Sequence, residues 1–121
     1  MTGDKGHTYD FICFTELVYE FDFSEKNEIE KKIKRRLKYY KLRDYDQDRV
    51  DYIRHLKNDL YSEISSRTKS KYFNKSKSNY SDLSDFNIDR ITSHYIKKYD
   101  KVDENEMRRI INFAIFSYYL R

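Results

Sequence analysis

Apolar residues recur at helical spacing along most of this chain. Ile29, Ile33, Leu37 and Tyr40 fall within about 80° of arc on a helix of roughly 100° per residue, and Ser24 precedes them as a candidate N-cap with Glu25 and Glu28 in the first turn. A second stripe, Val50, Ile53, Leu56, Leu60, Tyr61 and Ile64, starts after Asp46 or Asp48, either of which suits a cap, and runs to about Arg67. A third comprises Ile88, Ile91, Tyr95, Ile96 and Tyr99. Asp103-Glu104-Asn105-Glu106 then opens a predicted helix over about 104–120, whose second half is apolar on nearly every side. Between the second and third stripes the period is lost. Ser70, Ser76, Ser78, Ser81 and Ser84 alternate there with Lys69, Lys71, Lys75 and Lys77, which predicts a mobile Ser/Lys-rich connector over 68–84.

The segment over about 9–23 reads two ways. Leu17, Tyr19, Phe21 and Phe23 alternate with Val18, Glu20 and Asp22 as in a strand, whereas Phe11, Phe14, Leu17, Val18 and Phe21 share one helical face with Glu16 and Glu20 opposite. No second strand is in sight, so a strand here would have to pair between chains. The expected fold is mainly α, a small bundle of four or five helices, with this segment either a helix or a lone strand paired between chains. A strand before helices at 25–41 and 48–66 resembles the ribbon-helix-helix repressors. Glu20 and Asp22, which such a ribbon would offer to DNA, would be repelled by phosphate. A helix-turn-helix over 88–116 meets the same objection at its acidic 103–106 turn.

With 121 residues the chain suits a single domain with a modest core. Thirteen Tyr and eight Phe make the apolar part of the chain unusually aromatic, and the Tyr hydroxyls call for half-exposed rings. There is no Pro, and both glycines, Gly3 and Gly6, lie in the first six residues, which removes Gly-rich phosphate loops, dinucleotide fingerprints and Asn-Gly hairpins. No cofactor is expected. Cys13 lies in the apolar run Phe11–Phe14 and reads as a small buried hydrophobe, and one cysteine allows neither an internal disulfide nor a Cys-based zinc site. No stretch approaches the roughly 20 apolar residues of a membrane span, and no signal-peptide core is visible, so a cytoplasmic protein without membrane partners is expected. The Lys, Asp, Tyr, Ile and Ser usage suits an AT-rich genome such as that of a phage, plasmid or large virus.

Charge is distributed unevenly, and this changes the picture most. Residues 1–30 hold two bases and eight acids, net −6; residues 31–78 hold sixteen bases and six acids, net +10; the remainder hold seven of each. Lys31, Lys34, Arg35 and Lys38 lie opposite the first apolar stripe with Lys41 at the edge, while the connector adds Lys69, Lys71, Tyr72, Phe73, Lys75 and Lys77. Cations with interleaved rings fit sequence-tolerant binding of a polyanion.

Catalytic constellations are sparse. Arg49 and His55 resemble, in spacing, the Arg…His pair separated by roughly four to six residues in HEPN ribonucleases, which are small all-helical domains whose sites can form across a dimer. On one regular helix the two point about 120° apart. Arg90 and His94 share a face with Lys97, and no HExxH or other metal-ligating pattern occurs. The sequence therefore points to a non-catalytic accessory or regulatory protein that engages nucleic acid, or an acidic nucleic-acid-handling protein, through its basic middle. The alternative is a protein-interaction module, such as a phage, plasmid or viral inhibitor, using exposed aromatic residues. The apolar second half of the last helix, with Phe113, Phe116, Tyr119 and Leu120, suggests a homodimer interface.

Overall fold

A computed structural model describes residues 8–20, 23–66 and 87–119. The predicted connector over 68–84 lies outside these residues. The chain is mainly helical, with α1 (Tyr9–Leu17), a short 3-10 turn (Phe23–Glu25), α2 (Lys26–Tyr39), α3 (Gln47–Ser65), α4 (Ile88–Lys98) and α5 (Glu104–Tyr119). There is no strand among the described residues, so the helical alternative holds for residues 9–17 and the ribbon-helix-helix likeness loses its ribbon. The chain divides into two compact units, residues 1–57 and 58–121.

In the first unit, the Thr8 hydroxyl oxygen caps α1 by accepting the Phe11 N–H. The helix buries Ile12, Cys13, Phe14 and Leu17 and packs on α2, which contributes Ile29, Ile33 and Leu37. Val50, Ile53 and Leu56 of α3 complete this core. Ser24, the expected cap of α2, lies inside the 3-10 turn instead, and Glu25 stands at the cap with helical backbone and no side-chain cap bond. At the other end α2 closes without glycine. Lys41 takes a left-handed φ of 56°, and its N–H and that of Leu42 donate to the carbonyls of Lys38 and Leu37 at 3.1 and 2.9 Å. This is a Schellman closure built on a lysine. Of the two candidate caps for α3, Asp46 serves, its carboxylate accepting the Arg49 N–H.

In the second unit, Asn87 and Asp103 cap α4 and α5 through their side chains. α4 packs on α5 through Ile91, Tyr95 and Tyr99 against Met107, Ile110, Ile111, Ala114 and Ile115, with Leu60 and Ile64 from the end of α3 also buried. Asp59 accepts a 2.7 Å hydrogen bond from the Tyr99 hydroxyl and pairs with Lys98 at 2.6 Å. The Tyr61 and Ser117 hydroxyls meet at 2.6 Å.

Candidate nucleic-acid interface

Opposite charges at the two ends of the first unit's sequence find each other in the fold. Asp10 of α1 receives two hydrogen bonds from Arg49 of α3, at 2.8 and 2.6 Å. Glu16 and Thr15 hold Arg36 of α2, each at 2.9 Å. Arg54 of α3 reaches Glu20 through two nitrogens, at 2.8 and 2.9 Å, then Glu30 at 3.0 Å, and also Asp51. Lys57 is buried, with its ammonium directed at the Glu20 carbonyl. Planar guanidinium groups suit these bidentate, partly desolvated pairs better than ammonium groups do. Half of the eight acids in residues 1–30 are therefore spent on arginines inside the fold: Asp10, Glu16, Glu20 and Glu30.

The cations on the outer face of α2 are not drawn into this arrangement. Lys31, Lys34, Arg35, Lys38 and Lys41 are all exposed. Lys31 meets Glu28 at 3.7 Å across open surface, a contact of little energetic weight. Lys34, Arg35, Lys38 and Lys41 have no carboxylate partner among the described residues. Helical spacing places Arg36 at the margin of this basic back; it belongs instead to the ion pair with α1. Arg43, which periodicity does not single out, belongs to the basic surface.

Lys34, Lys38, Lys41 and Arg43 surround a cleft of about 410 Å³, floored by Leu37 and Leu42, in which Asp44 is the sole acidic lining residue among those described. The cleft is held in shape from α1. The Tyr9 hydroxyl donates to the Asp44 carbonyl at 3.2 Å and accepts the Asp46 N–H at 2.7 Å, while the Arg43 guanidinium lies 4.0 Å above the Tyr9 ring. On the other wall Lys34 sits 4.8 Å over Tyr45. Burial raises the Tyr9 hydroxyl's pKa despite the hydrogen bond from the Asp46 backbone, so the ring stays neutral beneath its cation. An arrangement of four cations around one concavity attracts anions, with Arg43 also meeting the Asp46 carboxylate at 3.4 Å.

The other candidate residues distribute differently. Lys69, Lys71, Tyr72, Phe73, Lys75 and Lys77 lie outside the described residues. On α5 Phe113 is half-buried and Phe116 is 50% exposed, while the side chains of Tyr119 and Leu120 are outside the described set. Arg49 is committed to Asp10 and lies over the Tyr52 ring, so it does not offer a free guanidinium near the exposed His55. Arg90 and His94 are both exposed, with the His94 ring against Tyr95. Burial pushes the Cys13 thiol up to about 12, as suits a core side chain. No group of acidic, His or Cys residues fit to hold a metal ion occurs among the described residues, and none of their helices is long and apolar enough to cross a membrane. Comparison with known proteins finds no matching family model, no matching curated protein and no matching solved structure.

Proposed function

We propose that this chain is a non-catalytic accessory protein that binds nucleic acid through the outer face of α2 and the cleft at its C-terminal end. The observation that carries the reading is the sorting of charge: Asp10, Glu16, Glu20 and Glu30 are occupied by Arg36, Arg49 and Arg54, while Lys34, Arg35, Lys38 and Lys41 have no carboxylate partner among the described residues. Surface of that kind collects phosphates, and affinity gained through phosphates falls steeply with salt. Engaging about four phosphates of a single strand gives a slope of log affinity against log salt of roughly −3. Replacing Lys31, Lys34, Arg35 and Lys38 together by Glu, all on exposed positions, should leave the helical circular dichroism intact and abolish the gel shift. An unchanged gel shift in that variant would remove the proposal.

A second reading rests on Phe116, which remains half exposed beside the half-buried Phe113 on a helix that buries Met107, Ile110, Ile111, Ala114 and Ile115. A second copy docking there would shield both rings. Light scattering should then report about twice the 15.0 kDa chain mass, and Phe116→Asp should return the monomer. A wild-type monomer that binds oligonucleotide normally would retire the dimer and leave the binding reading standing.

A further inference from the structure

Three large hydrophobic side chains stand out as exposed among the described residues: Tyr19, Tyr39 and Phe116. Tyr39 is the most exposed, at 77%, and shares α2 with the unneutralised cations. Lys31, Arg35 and Tyr39 follow one another at intervals of four, forming a row along the helix about 12 Å long. Lys34 and Lys38 form the adjacent row and lead into the cleft completed by Lys41 and Arg43. The Tyr39 ring stands edge-on to Tyr40, with centroids 4.9 Å apart, a contact that favours one orientation of the exposed ring.

We infer that this surface is selective for single-stranded nucleic acid, with Tyr39 as the platform on which one base stacks and the Lys34, Lys38, Lys41 and Arg43 cleft as the seat of the adjoining sugar-phosphate. The inference rests on the nucleic-acid reading of α2 and adds the class of strand. A duplex keeps its base faces stacked within itself and offers an exposed tyrosine only backbone. An open strand offers a face at every nucleotide. Cations fixed over rings, Arg43 on Tyr9 and Lys34 on Tyr45, lose less freedom on meeting phosphate than free side chains would. Tyr39 itself carries no charge, so its contribution should be insensitive to salt while that of the cleft is not.

The test is fluorescence anisotropy with labelled oligothymidine, oligouridine and a duplex of equal length. Wild type should bind both single strands more tightly than the duplex. Tyr39→Ala should weaken single-strand binding by about 5- to 150-fold and leave duplex binding unchanged, and Tyr39→Phe should retain most of the wild-type affinity. Equal affinity for single strand and duplex, or a Tyr39→Ala variant that binds like wild type, would overturn the inference while the proposed function stands. Failure of wild type to bind any of the three probes would overturn both.

Discussion

Lys41 holds the one left-handed backbone found among the described non-glycine residues. An L-residue with a Cβ carries a penalty there that glycine escapes, and the position is one where helices commonly end in glycine. Lys41→Gly should therefore raise stability by about 0.5–1 kcal/mol in urea unfolding, the gain being limited by the greater freedom of glycine in the unfolded chain. The same substitution removes one cation from the cleft, so oligonucleotide affinity should fall as stability rises. A lysine retained against its backbone preference is what a charge-collecting surface would require. Thr92, by contrast, is buried with its hydroxyl unpartnered among the described residues, and nothing in the structure assigns that oxygen a task.

At the scale of elements, Arg54 has the widest reach in the first unit, joining α3 to Glu20 beyond α1 and to Glu30 of α2. Truncating it leaves two carboxylates facing each other in partly desolvated surroundings, and Arg54→Ala should lower stability by about 3 kcal/mol, measured as a shifted urea midpoint. The helices themselves are legible in the hydrophobic spacing: Ile29, Ile33 and Leu37 are buried as that spacing demands, as are Val50, Ile53, Leu56, Leu60 and Ile64. Asp103 caps α5 where its position in the sequence places it. What spacing does not reveal is which charges meet. The partners that Arg36, Arg49 and Arg54 find on other elements lie 20 to 39 residues away, beyond any helical repeat, so a basic arc drawn on one helix counts Arg36 with the lysines. The ambiguity over residues 9–23 has the same origin: alternation from Leu17 suits a strand, and burial of Ile12, Cys13, Phe14 and Leu17 on a capped helix decides the segment through Leu17.

Taken as a whole, the charge inventory divides into two populations that answer to different conditions. Burial pushes the Glu30 carboxyl's pKa up, but hydrogen bonds from Gln47 and Arg54 outweigh it and hold the group below its ordinary value of 4.5. A carboxylate lowered in this way stabilises the fold above that ordinary value, and the stabilisation is lost as pH falls through the lower folded-state value. The urea midpoint should thus be level near neutrality and drop below pH 4.5 as acid protonates Glu30. Salt acts in the opposite sense, screening exposed cations from phosphate while partly buried pairs are screened much less. Oligonucleotide binding should collapse with rising sodium chloride at neutral pH while the unfolding midpoint scarcely moves; a midpoint that fell in step with binding would mean the inner pairs are open to solvent. Concentrated neutral salt should accordingly strip a bound strand from a protein that stays folded, whereas acid strong enough to protonate Glu30 should loosen the fold itself.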